Sequence, residues 1–488
     1  MSTISRDGVK PFPVVVVGGG LSGLATAYRL SAVGGLRSAV VVLEAKDRAG
    51  GAIWTERVEG FVLEGGADSF ITTKPWAVEL CRELGLGDEL MGTQPAHRRS
   101  FVVRGQRLVP VPEGFVLMAP TRLLPVLASP ILSWRGKVRL LLDLIWPRRG
   151  DEQGDESLAS FARRRLGREV LERLVQPLVG GIYTADPNEL SVAATLPQFV
   201  EMERRHGSLI RAAWRQARIG SAVEGESSGA RYGLFLTLRG GMETLPRALA
   251  ARLPEGAMRL STPVRRVEWV ERLGRWVVEL FDGGEIEASA VVLATEAHAA
   301  ARLVDGYDPV LAQRLREIPY ASSIVVNLAY ARDAVAHPLD GFGVVVPAVE
   351  GRSILAVSFT SVKFADRAPA GTVLMRVFVG GAMQPALFDL DDDQVEQLVR
   401  RELAELIGAR GEPLLVRVAR HRRSMPQYTV GHAARVAAIR DRLRAHPGLF
   451  VTGNAFDGVG VPDCIRSAEA TAEAVVAYLR GRAQIAAA

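Results

Sequence analysis

Residues 14–30 read VVVVGGGLSGLATAYRL, and a second apolar run, VVVLEAKDRAGG, reaches Glu44. A buried strand, a glycine turn, a helix and an acid at the tip of the next strand together form a holder for a dinucleotide. Gly18 permits the tight turn off the strand. Gly20 has no Cβ, so backbone N–H groups can approach a pyrophosphate, and Gly23 lets the helix pack close to the strand. The positive end of the helix over 22–30 then faces the phosphates. Glu44 is placed to accept hydrogen bonds from a ribose hydroxyl, which favours an adenosine without a 2′-phosphate.

Positioning these residues takes a large fold. The chain has 488 residues, 48% of them hydrophobic, so two or three domains with substantial cores are expected. Cys81 and Cys464 are too few for a disulfide framework and suit a reducing compartment. The seven histidines show no metal-ligand spacing, so no catalytic metal is expected. The opening MSTISRDGVKPFP has no apolar signal core, and no window offers about 18–20 uninterrupted apolar residues; a cytoplasmic protein without a spanning helix is expected. Periodicity predicts helices over 74–86, 157–178, 243–253, 390–407 and 465–479. It predicts a hairpin over 101–112, strands over 264–270, 276–280, 291–294, 324–330, 343–346, 354–358 and 373–379, and an aperiodic loop over 220–233. The end of the chain repeats the opening plan of strand, glycine turn and helix. Its turn, Gly458 to Val461, either offers backbone N–H groups to a cofactor or simply begins a helix.

Net charge is +6, unevenly spread. Ten basic residues lie between Arg98 and Arg149, opposed only by Glu113 and Asp143. Such a patch attracts anionic lipid, a carboxylate-bearing substrate or nucleic acid. No nucleic-acid partner is expected, because no binding motif or aromatic interleaving accompanies it. Within the patch, 115–132 is apolar but broken by prolines, and Trp134, Arg135, Lys137, Arg139 and Trp146 follow. This segment reads either as an interfacial membrane contact or as a small helical unit with its own core.

Arg48, Gly50 and Gly51, with the run Glu64-Gly65-Gly66-Ala67-Asp68, resemble the flavin-containing amine oxidase superfamily more than nicotinamide dehydrogenases. Three blocks are more specific: LVQPLVGGIYTADPNELS from Leu174, SMPQYTVGH from Ser424 and GNAFDGVGVPDCI from Gly453. Together they resemble the protoporphyrinogen oxidase family, which includes a bacterial branch acting on coproporphyrinogen III. The likeness runs from Val14 to about Tyr478. It implies an α/β (α+β) fold with a discontinuous Rossmann-like FAD domain (1–86, 222–300, 446–488). A mixed-sheet substrate domain (87–111, 301–445) and a helical domain (112–221) that touches membrane in many members complete it.

FAD is implied, without a covalent link. Gly18, Gly19, Gly20, Leu21, Ser22, Gly23, Glu44, Ala45, Arg48, Gly51, Gly65, Gly66, Ala67 and Asp68 would contact it. Val264 would meet its adenine side through the backbone, and Val459, Gly460 and Val461 its flavin side. His421 stands where several members have tryptophan, near the cofactor. Arg99 matches an arginine whose planar fork pairs with a propionate, and Arg98 is an adjacent alternative. Phe342 matches an aromatic stacked on the tetrapyrrole, and Gly181 a backbone position close to the substrate. Thr184-Ala185 departs from the Ala-Gly of many members.

The implied activity is oxidation of a porphyrinogen to a porphyrin in haem biosynthesis, six electrons leaving in three steps. In each step a hydride passes to flavin N5 and a ring N–H proton departs; dioxygen then reoxidises the flavin and hydrogen peroxide is released. The flavin carries the chemistry, so no side chain is nominated as a catalytic base. A homodimer, a peripheral place at an anionic membrane surface and hand-over to the next haem-pathway enzyme belong to the same expectation. Two rivals stand beside it: another flavin oxidoreductase such as an amine oxidase or carotenoid desaturase, of which the arginine patch argues against a cationic amine substrate, and a non-catalytic binder of porphyrin or lipid.

Overall fold

The computed structural model describes residues 12–32, 39–150, 154–220 and 235–487. The loop expected over 220–233 lies outside them except for Gly220, which closes the helix Leu209–Gly220. A five-stranded parallel sheet is built around Val14–Val17, with Val40–Leu43 on one side and Ala290–Leu293 on the other; Met258–Arg259 and Leu449–Val451 form its edges. A run of four β-branched residues suits a strand buried on both faces. Val14 and Val16 join the core under helices Leu21–Ala32 and Val461–Ala487, whereas Val15 and Val17 join the core on the opposite face. Helices Ala297–Val304, Pro309–Arg316 and His432–Leu443 pack on that second face, through Leu311, Val436 and Ile439 among others. Most of these residues fall within 301–445, the span that the sequence boundary gave to the other sheet.

The second sheet has seven strands. Its order is Leu415–Pro426, Tyr320–Ala331, Thr372–Gly380, Ala356–Ser358, Gly343–Val345, Phe101–Arg104 and Arg107–Pro110. Gly343–Val345 runs parallel to Phe101–Arg104 and the other pairs are antiparallel. Leu415–Pro426 is absent from the periodicity reading because its sequence, LVRVARHRRSMP, is dominated by arginines. It is an edge strand, paired only with Tyr320–Ala331, and an edge accepts charge. Helix Asp392–Ile407, opened by a capping box between Asp391 and Gln394, covers one face with Val395, Val399 and Leu403.

The third layer is helical. Leu158–Leu166, Arg168–Val170, a π-helical turn Leu171–Val175 and Gln176–Tyr183 follow one another. Pro177 has no N–H to give to this ladder, which accounts for the widened turn just before it. Phe115, Met118, Val126 and Ile131 of the proline-broken segment, with Leu140 of the following helix Trp134–Leu141, are buried in the core of this layer. Among the described residues no helix is long and apolar enough to cross a membrane.

One buried ion pair ties the layer together. Arg165 and Asp143 are both 0% exposed. Arg165 Nε donates to Asp143 Oδ1 at 2.7 Å and Nη2 to the Gly207 carbonyl at 2.7 Å, while Asp143 Oδ2 accepts from Ser208 Oγ at 2.7 Å and Ile210 N at 3.0 Å. Removing one partner strands a buried charge, at a cost of about 3–5 kcal/mol. Asp143→Ala is therefore expected to lower the thermal unfolding midpoint of the helical signal by several degrees, and an unchanged midpoint would contradict this role.

Candidate active site

Gly18 leaves its strand at φ +110°, and a Cβ there would lie 2.6 Å from the Ala294 carbonyl oxygen. A Cβ on Gly23 would lie 1.9 Å from the Gly18 oxygen, so this glycine is fixed by helix–strand packing. Gly20 differs: the nearest atom to its Cβ position is Gly51 Cα at 3.9 Å, and the turn is open there. Gly19 N–H donates to Glu44 Oε2 at 2.7 Å and Lys46 N–H to Oε1 at 2.9 Å. These bonds hold the buried carboxylate at the strand tip, and each oxygen keeps a further lone pair for a ribose hydroxyl.

Leu21 and Ser22 open the helix, in the turn whose N–H groups no helix can satisfy internally. Thr262 N–H donates to the Glu44 carbonyl at 2.8 Å, bringing the start of strand Val264–Val270 beside the same edge. Arg48 donates to the Gly51 carbonyl at 2.7 Å and, at 3.3 Å, to those of Ala49 and Ile53. It shapes the loop that Gly50 seats against Gly19 through a 2.8 Å hydrogen bond, with exposed Ala45 just before it.

The segment 64–68 lies where the two sheets meet. The Cβ space of Gly65 is filled by the Trp54 ring and that of Gly66 by the Ala52 carbonyl, so both glycines serve the packing of the chain itself. Asn327 Nδ2 donates to the Glu64 carbonyl at 3.2 Å, His421 Nε2 to that of Gly65 at 2.7 Å, and Arg376 Nη2 to that of Gly66. Asp68 pairs with Lys363 at 3.1 Å and Arg376 at 3.2 Å. Burial alone would raise its carboxyl, but the two cations hold it well below the ordinary carboxylate range. Burial pushes the His421 imidazole down, opposed by its hydrogen bond to Gly65, and Arg376, Lys46 and Arg48 add to the downward push; because a carbonyl can only accept, Nε2 is the donor.

The third turn, 458–461, precedes the helix Val461–Ala487. Tyr428 hydroxyl accepts from Gly458 N at 2.8 Å and donates to the Asn454 carbonyl at 2.6 Å, with His432 stacked on its ring at 3.8 Å. Val459 packs against the helical core, and Lys74 Nζ reaches Asp463 at 2.7 Å in the first helical turn. Sequence reasoning marked the SMPQYTVGH block without finding this role for Tyr428. It also missed Asn327, Arg376 and Lys363. The available signal was a lone polar residue inside an apolar strand, as in IVVNLAY and VLMRVFV.

On the other side of the second sheet, Arg99 Nε donates to the Asp340 carbonyl at 2.7 Å and its guanidinium pairs with the Asp340 carboxylate. Phe342 N–H donates to the Arg99 carbonyl at 2.8 Å, which brings these two residues together, although the Phe342 ring is buried. Gly181, in helix Gln176–Tyr183, is exposed and faces open space. Arg98, Arg99 and Arg122 line a cleft of about 520 Å³ with walls that include Val109, Val111, Phe115, Pro125 and Leu178.

The open glycine turn, the fixed acid and the glycine-dependent packing fit an adenine dinucleotide. A model of the flavin containing amine oxidoreductase family matches residues 21–476. The chain belongs to this family. Within it, the chain is 38% identical to the coproporphyrinogen III oxidase of Propionibacterium freudenreichii, over 95% of this chain and 90% of that one. It is 33% identical to the coproporphyrinogen III oxidase of Bacillus subtilis, over 97% and 99%. The crystal structure of a provisionally named protoporphyrinogen oxidase from Exiguobacterium superposes with a TM-score of 0.83 at 30% identity, covering 96% of this chain and all of the other.

The chain is thus a flavoprotein oxidoreductase of the protoporphyrinogen and coproporphyrinogen III oxidase family, and its cofactor is FAD. Gly23→Ala drives a methyl into the Gly18 carbonyl. We expect the purified variant to lose the visible flavin absorbance of the wild type while keeping its far-ultraviolet circular dichroism; full flavin content would refute the tight-packing requirement.

Proposed function

We propose that this protein oxidises coproporphyrinogen III to coproporphyrin III in haem biosynthesis, with dioxygen as the final acceptor. The cleft lined by Arg98, Arg99 and Arg122 carries the proposal. A substrate with four propionates suits a cleft lined by three arginines better than one with two, and an amine cation would be repelled. The names of the two relatives support the same choice. When bound, FAD supplies the acceptor for the hydride removed in each two-electron step.

The chain supplies position. Arg99 is held by Asp340, leaving part of its fork to share with a propionate, and Arg122 is balanced by Glu113. Val109, Val111, Phe115 and Leu178 present apolar walls that keep water from the ring edge. Phe342 and Gly181 complete the proposed substrate contacts, Phe342 by supporting the Arg99 backbone.

The decisive experiment is a side-by-side assay on coproporphyrinogen III and protoporphyrinogen IX with autoxidation excluded. We expect coproporphyrinogen III to be preferred by about tenfold or more, the equivalent of one lost charge-assisted hydrogen bond. Equal or reversed preference would overturn the substrate choice. Arg99→Ala is expected to raise KM for the preferred substrate by roughly tenfold; unchanged KM and turnover would place the anchor elsewhere.

We also propose that the helical layer docks on an anionic membrane surface. Trp134, Val138 and Ile145 are exposed along one side of Trp134–Leu141 and its extension, followed by Trp146, and Leu124 is exposed on the preceding helix Leu123–Ala128. Arg135 lies over the Trp134 ring and Arg139 over that of Trp146. Flotation with anionic liposomes at low salt is expected to carry the wild type, and Trp134→Ser with Ile145→Ser to abolish it. A wild type that stays at the bottom of the gradient rejects the idea.

A further inference from the structure

Three successive carbonyls, those of Glu64, Gly65 and Gly66, receive donors from three neighbouring strands of the second sheet. Asn327 comes from Tyr320–Ala331, His421 from Leu415–Pro426 and Arg376 from Thr372–Gly380. Asn327 stands opposite Arg376 in one pairing and opposite Arg417, four residues before His421, in the other. Period-two alternation therefore puts all three side chains on one face of the sheet. Asn327 is 0% and Arg376 2% exposed, so these polar groups were taken out of water for this contact.

In a trans peptide the carbonyl and the N–H of the following residue point in opposite directions. Holding the Glu64 carbonyl orients Gly65 N–H, which donates to the Trp54 carbonyl at 3.0 Å. Holding the carbonyls of Gly65 and Gly66 turns the N–H groups of Gly66 and Ala67 away from the second sheet. Among the described residues these two N–H groups have no acceptor. Asp68, pinned by Lys363 and Arg376, fixes the far end of the segment.

We propose that Asn327, His421 and Arg376 are positioning residues for the cofactor: they grip one edge of the 64–67 backbone so that the N–H groups of Gly66 and Ala67 are presented to FAD. The proposal rests on the flavin cofactor of the site described above. The grip also joins the cofactor segment to the sheet that carries Arg99 and Phe342, so cofactor and substrate anchor share one rigid frame.

The test uses the holoprotein. His421→Phe keeps a ring in the edge strand and removes the donor. We expect FAD to be released about tenfold faster on dilution, read by flavin fluorescence, with an altered visible circular dichroism of the bound flavin. KM for coproporphyrinogen III is expected to stay within about twofold, since one hydrogen bond to the cofactor segment is lost and no substrate contact. His421→Gln, which retains a side-chain N–H, is expected to recover most of the retention. Asn327→Ser, too short to reach Glu64, is expected to move both flavin readouts as His421→Phe does. Release and visible spectrum equal to wild type in both His421→Phe and Asn327→Ser would overturn the proposal. A wild type that holds no FAD would instead overturn the cofactor assignment itself.

Discussion

The cofactor surface exists only after five parallel strands from widely separated parts of the chain have closed on one another. Val14–Val17 is the central strand, and its glycine turn is completed by Ala294, at the end of a strand some 280 positions later. The last strand, Leu449–Val451, adds the edge from which the 458–461 turn departs. Parallel pairing cannot be made by hairpins, so each crossover must leave the sheet and return. In this chain two of those excursions are large enough to hold a seven-stranded sheet and a helical layer. The active site is consequently assembled between bodies that the chain threads through more than once, and its geometry depends on the joints between them.

Those joints are built from buried polar groups, and two acids four residues apart show how they are balanced. Burial pushes the Glu64 carboxyl up, moderated by hydrogen bonds from Met242 N at 2.8 Å and Thr55 Oγ1 at 2.8 Å and by the charges of Arg367 and Arg376. Asp68, also largely shielded from water, is pulled the other way by Lys363 and Arg376. Burial raises both, and Arg376 lowers both, so the difference comes from the direct ion pairs that Asp68 makes and that Glu64, among the described residues, does not. The outcome is a segment whose charged end is locked to the second sheet through Arg376.

The glycine turn, the valine strand and Glu44 were legible because their spacing is local and each residue type answers a local need. The same holds for the hairpin at 101–112 and the capped helix Asp392–Ile407. Asn327, Arg376 and His421 were not legible as a unit, since the carbonyls they serve lie more than 250 residues away. The basic segment was legible as charge but not as its use. Arg99, Arg122 and Arg149 meet Asp340, Glu113 and Glu156, and Arg139 is spent on the carbonyls of residues 163–165. The apolar run through Trp146 supported two readings, core or interface. The structure shows a buried face with Phe115, Val126 and Leu140 and an exposed face with Leu124, Trp134 and Ile145.

This division also locates specificity. The grip on residues 64–66 and the pairing of Glu44 with the glycine turn involve the two sheets, whose hydrogen-bonded strands cannot shift independently. The arginine cleft is different: one wall is the hairpin Phe101–Arg104 with Arg107–Pro110 and the segment after it, the other the short helix Leu123–Ala128 and Leu178 of the helical layer. Residues 18–23, 44 and 64–68 are not among those lining this cleft. A scaffold shared across many chemistries changes its substrate most easily where side chains converge from elements that carry no other duty. Under the proposed function, that place is the cleft around Arg98, Arg99 and Arg122.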